Sequence, residues 1–248
     1  AFDGDFIQRH AKAAALYNDI FVIHVRQGTE NNALKTEDIT ADGGLTEKII
    51  YYKPSKSIFA KLINHYRYIH FFRTAVRKYI IENGEPDAVH AHVPVKAGIV
   101  AQWIKRVYKI PYVLSEHWWI YNDLVNENYR QRNIFFKRAT EKTIAKASAF
   151  LSVSKFLGDA VNKFVLPKQY QIIPNVVNTE LFYFNESANK TFRFIHVSNM
   201  VLLKNVESIL QAAYQLHKSG CSFELILIGN KDDAYPAYAQ KLGLPADA

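Results

Sequence analysis

Short apolar runs alternate with longer amphipathic segments along most of the 248-residue chain. The short runs are rich in β-branched and aromatic residues and predict strands at 20–25, 48–52, 88–92, 112–117, 149–154, 170–173, 192–197 and 223–228. Apolar residues recur at helical spacing in between and predict helices at 2–17, 53–83, 133–146 and 206–219. Strands separated by helices favour right-handed crossovers, so the chain is predicted to be α/β with mostly parallel sheets.

The segment 170–205 divides the chain. It contains a predicted strand, a Pro-Asn turn, a polar connector, a second strand, and a loop that carries Lys204 just before a helix. We therefore expect a hinge between two α/β domains, with residues 1–168 in the first and 169–248 in the second. A lysine at a helix N-terminus suits a phosphate group, because the ammonium and the helix dipole both favour negative charge. A solvated lysine in a connecting loop is the alternative.

Composition limits the kinds of protein but does not select one. Hydrophobic residues make up 49% and charged residues 22%, which is ordinary for a soluble domain. The net charge of +8 favours anionic partners, namely nucleic acid, lipid headgroups or phosphorylated substrates. The single cysteine, Cys221, excludes an internal disulfide framework, and we expect it to be buried.

Both ends of the chain and its hydropathy bear on location. No apolar run of about 18 residues and no leader-like N-terminus occurs in the sequence, which predicts a cytoplasmic protein. The chain opens in a loop before a helix and stops after another helix. We therefore expect an internal fragment of a longer protein, without its first strand and with a truncated second domain.

The predicted helix at 53–83 is unusually basic. Its apolar residues recur at helical spacing: Phe59, Leu62, Tyr66, Ile69, Phe72, Val76 and Tyr79. Its cationic side chains are Lys61, Arg67, His70, Arg73, Arg77 and Lys78. The pattern fits either a core-facing helix with a solvated basic side or a helix that meets anionic lipid at the inner face of the plasma membrane. Nucleic acid is not expected as a partner, because no nucleic-acid-binding module accompanies the charge.

Polar side chains stand where two predicted strands end. Because ligands of parallel sheets collect at the carboxyl ends of strands, His92 and His117 attract attention. His90 and His92 share one face of a strand, but without nearby carboxylate or cysteine partners we expect no metal site. Glu116 and His117 are followed by two tryptophans, a combination that suits either a ligand cleft or a buried, satisfied strand end.

Four stretches resemble the retaining glycosyltransferases of family 4. The connector at 174–182 reads PNVVNTELF, and the loop at 198–205 carries Lys204 in the family's register. Residues 115–119 read SEHWW, and residues 4–11 read GDFIQRHA. The resemblance covers essentially the whole chain. It implies a GT-B arrangement of two Rossmann-like domains, with the acceptor domain first and the nucleotide-sugar domain second. The substrates implied are a nucleotide-diphosphate sugar and a glycan or lipid-linked acceptor, with no cofactor and no metal.

The resemblance also implies roles for particular residues. His117 would hold the transferred sugar, and Lys204 would stabilise charge on the leaving diphosphate. Donor binding would fall to Asn199, Lys204, Gly229 and Asn175, while the acceptor side would be lined by Gly4, Asp5, Arg9, His92 and Glu116.

Two positions depart from the family pattern. Ser198-Asn199 stands where the family usually has Gly-Arg, and Val176 replaces a usual glycine. A catalytically inactive nucleotide-sugar-binding protein therefore stays open as an alternative. A nucleotide-sugar epimerase of GT-B type is another, although it would need further acid/base carboxylates.

Overall fold

The computed structural model describes residues 5–28, 35–41, 44–125, 127–184, 191–230 and 234–244. The chain divides into two compact units, Ala1–Phe182 and Tyr183–Ala248. This division falls later than the predicted boundary at 168/169, because the strand at Gln171–Ile172 pairs with a strand of the first unit.

The first unit contains two sheets. In one, β1 (Ile20–Gln27) runs parallel to β3 (Leu45–Tyr52), and β2 (Thr36–Ala41) pairs with β3 in the antiparallel direction. In the other, β4 (Val89–His92), β5 (Tyr112–Glu116), β6 (Ala149–Ser152) and β7 (Gln171–Ile172) are parallel neighbours in that order. The sequence did not predict β2, because TEDITA contains too few apolar residues to show a strand pattern.

Five helices accompany these sheets in the described part of the first unit: α1 (Asp5–Ala15), α2 (Ala60–Asn83), α3 (Ala97–Tyr108), α4 (Ile134–Lys146) and α5 (Lys155–Phe164). Helix α4 begins after Asn133, whose side chain accepts a hydrogen bond from the backbone N–H of Phe136. Ser154 caps α5 in the same way, because its Oγ accepts a hydrogen bond from the backbone N–H of Leu157. The α/β class with parallel strands and flanking helices is thus confirmed.

The main core of the first unit lies around β5 and β6. The largest of its fully buried side chains are those of Tyr112, Leu114, Ile144, Phe150 and Val161. Each such side chain contributes roughly 1.5–3 kcal/mol by leaving water. The short turn Tyr129–Gln131 is anchored in this core by the buried ring of Tyr129.

Helix α2 is only half covered. One face packs Ile69, Phe72 and Val76 against β1, β4 and α3. Its N-terminal end is different, because Leu62 and Tyr66 are 69% and 68% exposed. The interpretation of α2 as a core-facing helix therefore holds for the face that carries Ile69, Phe72 and Val76, and not for the exposed surface at Leu62 and Tyr66. The residues from 53 to 59 precede the helix rather than belonging to it.

The second unit contains the parallel pair β8 (Phe192–Val197) and β9 (Phe223–Ile228), with α6 (Val206–Lys218) and α7 (Ala234–Leu242). Its small core forms around Met200, Val206 and Leu210. The expectation that Cys221 is buried is wrong: the thiol is exposed, in the turn after α6. None of the described helices has the length and hydrophobicity that crossing a bilayer requires.

Candidate active site

Two histidines meet where β4 and β5 end. The register of the parallel pair places His92 opposite Ser115, so His117, just beyond the strand, reaches the same edge of the sheet. His92 Nδ1 lies 2.9 Å from His117 Nε2. The two histidines that the sequence places at strand ends thus lie side by side in the first unit.

Further side chains extend this pair. His90 stacks near His92, with ring centroids 4.3 Å apart, and its Nε2 lies 2.7 Å from the hydroxyl of Ser115. Helix α1 contributes His10, whose ring centroid is 5.8 Å from that of His117, and Phe6, at 4.7 Å from the same ring. Phe6 and His10 are four residues apart in the sequence and so share one face of α1.

The turn after β7 closes the group. Asn175 Oδ1 lies 3.2 Å from His10 Nε2. Helix α1, strands β4 and β5 and this turn thus converge on one place in the first unit. We call the set formed by His10, His90, His92 and His117 the histidine cluster.

Burial keeps three members of the cluster uncharged at neutral pH. It lowers the pKa of His92 to about 2 and that of His90 to about 4, with repulsion between the imidazoles adding to the effect. It also lowers the pKa of His117 to about 4, where repulsion from His10 acts in the same direction and the nearby Asn175 opposes it. A neutral imidazole offers one donor and one acceptor, which suits it to bind hydroxyl groups.

The two ring nitrogens of His117 differ in their hydrogen bonding. Its Nε2 is engaged by His92. Its Nδ1 is buried and makes no hydrogen bond of good geometry with a described residue, although the side chain of Asn175 lies close enough to raise the pKa of the ring. A buried polar atom without a partner is costly, and a ligand that supplied the missing hydrogen bond would relieve that cost.

Glu116 lies beneath the cluster and is fully buried. Its Oε1 accepts from the backbone N–H groups of His117 and Trp118, and its Oε2 accepts from the Tyr121 hydroxyl. Burial raises the pKa of Glu116 to about 7 although these hydrogen bonds favour the carboxylate. The side chain faces inward, so it holds the loop that carries His117 and does not line an open cleft.

Despite the four imidazoles, the described residues contain no group of three or more His, Cys, Asp or Glu side chains arranged to hold a metal ion. The rings instead pair with each other, with Ser115 and with Asn175.

The predicted donor-side residues of the second unit stand at the carboxyl ends of β8 and β9. Lys204 ends a tight turn, Leu202–Lys204, immediately before α6, and it is exposed. Asn199 lies in the loop after β8, where its carbonyl accepts from the side chain of Asn230 at 3.2 Å. A Cβ on Gly229 would lie 2.0 Å from the carbonyl oxygen of Ser198, so glycine is required there for the two loops to meet.

The structure groups the predicted residues differently in one respect. Asn175, expected on the donor side, lies beside His10 in the first unit. Arg9 is on α1 with His10, whereas Gly4 and the side chain of Asp5 lie outside the described residues. Sequence analysis did not assign Phe6, His10 or His90 to the site. The i, i+4 spacing of Phe6 and His10 places them on one face of α1, but it does not show what that face contacts.

Residues 22–181 match the sequence profile of Glycosyltransferase Family 4. The match covers more than half of the chain, so the protein belongs to this family, and the resemblance to family 4 is confirmed. No curated protein matches the chain significantly.

Solved structures share the fold at low sequence identity. The sucrose-phosphate synthase from Thermosynechococcus elongatus is similar with a TM-score of 0.71 and 15% identity, over 100% of this chain and 64% of that one. The catalytic domain of Starch Synthase IV from Arabidopsis thaliana, bound to ADP and acarbose, is similar with a TM-score of 0.58 and 14% identity, over 98% of this chain and 67% of that one. The chain thus has the α/β fold of GT-B glycosyltransferases and spans about two thirds of the length of these neighbours.

Proposed function

We propose that this protein transfers a hexosyl group from a nucleotide-diphosphate sugar to a glycan or lipid-linked acceptor, with retention of configuration. Membership of family 4 supports the transfer of a sugar. The similar starch synthase domain was solved with ADP, which supports a nucleotide sugar as donor. The single observation that carries the proposal is the buried Nδ1 of His117, which has no partner among the described residues.

His117 contacts the sugar in this proposal. The ring is neutral, because burial lowers its pKa to about 4, and His92 and the Glu116-anchored loop fix its orientation. Its free Nδ1 then exchanges a hydrogen bond with a sugar hydroxyl. A fixed polar group that needs no reorganisation during the reaction favours the transition state more than a mobile one does.

Lys204 acts on the diphosphate. It is an exposed cation that precedes the N-terminus of α6, where unpaired backbone N–H groups and the helix dipole also favour negative charge. As the glycosidic bond to the donor breaks, charge develops on the leaving diphosphate, and the ammonium stabilises it. Asn199, in the neighbouring loop, offers the donor a polar side chain where the family usually has an arginine.

A transfer and hydrolysis assay with a panel of UDP-, ADP- and GDP-linked hexoses tests the proposal. Lys204→Ala and His117→Ala are each expected to lower kcat/KM for the accepted donor by about 100-fold, as loss of a charged or positioning contact does. Lys218→Ala and His217→Ala remove the same residue types from an exposed site at the other end of α6 and serve as matched controls.

The outcomes separate the alternatives. Unchanged activity in both His117→Ala and Lys204→Ala refutes the assigned roles. Binding of a nucleotide sugar with neither transfer nor hydrolysis supports a binding protein on the same scaffold, and conversion of the free nucleotide sugar to its epimer supports an epimerase.

We also propose that the protein associates peripherally with an anionic membrane at the cytoplasmic face. The supporting observation is the exposed apolar surface at the start of α2, formed by Ile58, Phe59, Leu62 and Tyr66 next to basic side chains. Binding to vesicles that contain phosphatidylserine should weaken as the salt concentration rises from 50 to 500 mM. Salt screens the attraction between the basic side chains and the lipid headgroups, and the screening length, about 10 Å at 0.1 M, becomes shorter as salt is added. Equal binding to neutral and anionic vesicles contradicts this proposal.

A further inference from the structure

A small cavity opens on the exposed side of α2. Its volume is about 170 Å³, and it is lined by Tyr66, Ile69, His70, Arg73, Thr74 and Arg77. These residues occupy successive turns of one helix. The family resemblance assigned no role to any of them.

Two arginines of the cavity rest on one aromatic ring. The guanidinium carbons of Arg73 and Arg77 lie 5.1 and 5.5 Å from the centroid of Trp103, on α3. Trp103 is only 7% exposed and belongs to the core between α2 and α3, so it is a fixed platform. Stacking on a ring face holds a guanidinium in place while its N–H groups stay available at the edge.

The positive charge of the cavity is not neutralised by its lining, which contains no carboxylate. The acidic residue of α2, Glu82, does not line the cavity. Its Oε1 lies 3.6 Å from Nζ of Lys78, with which it forms an ion pair. The Nε of Arg73 is buried with no hydrogen-bond partner among the described residues. Two like charges one turn apart, one of them with an unused buried donor, are stabilised when an anion binds.

We propose that this cavity binds the phosphomonoester of a lipid headgroup. Paired guanidinium groups match the geometry of phosphate oxygens, which accept two parallel N–H bonds from each group, and Thr74 and His70 add polar groups to the rim. The exposed Tyr66 lines the cavity, and Leu62 lies one turn closer to the start of α2, where apolar side chains enter the headgroup boundary. The inference rests on the peripheral membrane association proposed above and names its lipid.

Three kinds of vesicle test the proposal, all measured by co-sedimentation with the full chain. They contain phosphatidylcholine alone, phosphatidylcholine with phosphatidylserine, and phosphatidylcholine with phosphatidic acid, the last two matched in surface charge. Phosphatidic acid carries a phosphomonoester and phosphatidylserine does not. We expect about tenfold tighter binding to the phosphatidic acid vesicles than to the phosphatidylserine vesicles.

Variants locate the effect. Arg77→Gln and Arg73→Lys should each remove most of the tenfold preference, the second because lysine keeps the charge but loses the planar fork. Lys78→Gln lowers the net charge of α2 as Arg77→Gln does, but Lys78 is not part of the cavity lining, so this control should retain the preference. Arg77 is exposed, so Arg77→Gln should lose little more than its stacking on Trp103, and thermal unfolding checks that the variant stays folded at the temperature of the binding assay.

Other outcomes overturn the proposal. Equal binding to the two charge-matched vesicles leaves membrane association intact and refutes the phosphomonoester site, whereas no binding to any vesicle refutes the association itself. Glycerol 3-phosphate that binds as tightly as the phosphatidic acid vesicles identifies a soluble phosphate ligand. A DNA duplex that binds more tightly than either, with the same dependence on Arg73 and Arg77, identifies nucleic acid.

Discussion

His92 Nδ1 and His117 Nε2 lie 2.9 Å apart at the ends of two neighbouring parallel strands. One of these nitrogens must carry the shared hydrogen and the other must accept it. Protonation of both rings would place two N–H groups against each other, so the geometry excludes a doubly charged pair. The lowered pKa of each ring keeps the pair neutral at physiological pH.

The first prediction concerns stability in acid. His90, His92 and His117 have folded pKa values of about 4, 2 and 4, below the ordinary value of 6.5. The unfolded chain therefore binds more protons, and these groups contribute stability that is present above pH 6.5 and lost as the pH falls toward 4. Each group contributes a slope of up to about 1.4 kcal/mol per pH unit.

Urea unfolding at pH 7.5, 6.0 and 5.0 measures this slope. His92→Gln should flatten it, while His65→Gln, which changes an exposed histidine on α2, should not. Equal slopes in wild type and His92→Gln would show that the cluster does not resist protonation.

The second prediction concerns Glu116, whose contribution to stability falls as the pH rises, opposite to that of the histidines. Its folded pKa of about 7 exceeds the ordinary value of 4.5, so its burial is most favourable below pH 4.5 and the contribution is lost as the pH rises through 7. Glu116→Gln has no carboxyl group to ionise, so it removes the loss of stability at high pH. It also weakens the hydrogen bonds that the side chain accepts from His117, Trp118 and Tyr121.

We therefore expect Glu116→Gln to be destabilised by about 1–3 kcal/mol at pH 5 and by less at pH 8. The free energy of unfolding at the two pH values checks this. A larger loss at pH 8 than at pH 5 would mean that the carboxylate, and not the acid, is the stable form in the folded protein.

The third prediction concerns Gly229. Its added Cβ would lie 2.0 Å from the Ser198 carbonyl oxygen and 2.9 Å from the Met200 side chain, so Gly229→Ala must push the two loops of the second unit apart. We expect a loss of about 2–4 kcal/mol, at the high end for a single substitution.

Gly220→Ala is the matched control, since no atom lies within 4 Å of its added Cβ. Gly220 has a φ of +81°, so this change costs roughly 1–2 kcal/mol through backbone strain alone. Thermal unfolding of both variants compares them, and a smaller loss for Gly229→Ala than for Gly220→Ala would contradict the close contact.

The fourth prediction concerns His10. Repulsion from His10 is a cause of the lowered pKa of His117, second to burial. His10→Gln should therefore raise the pKa of His117 while leaving it below 6.5, because burial remains. NMR titration of the ring measures this shift, and an unchanged or lower pKa would show that His10 does not act on His117.

Local sequence pattern predicted the parallel elements well. The strands β8 and β9 begin and end at the predicted residues, because each is a short, mostly apolar run flanked by small or polar residues. The strand β2 was missed because its stability comes from pairing with β3 and not from its own composition. Helical spacing found α2 but did not show that Leu62 and Tyr66 are exposed, since periodicity does not report what covers a face.

The site was predicted in part for a similar reason. The end of each parallel strand is readable from sequence, and this brought His92 and His117 to attention. The contributions of Phe6, His10 and Asn175 depend on how α1 and the turn after β7 dock against the sheet, which pairs residues up to 165 positions apart. Such contacts follow from packing, and only the family motif placed those segments near a substrate.

The most direct test of the central claim measures affinity by calorimetry for the accepted nucleotide sugar and for its nucleotide diphosphate. If Lys204 contacts the diphosphate and His117 the sugar, Lys204→Ala weakens both ligands by about tenfold or more, whereas His117→Ala weakens the nucleotide sugar alone. Wild-type affinity of both variants for both ligands would contradict the account.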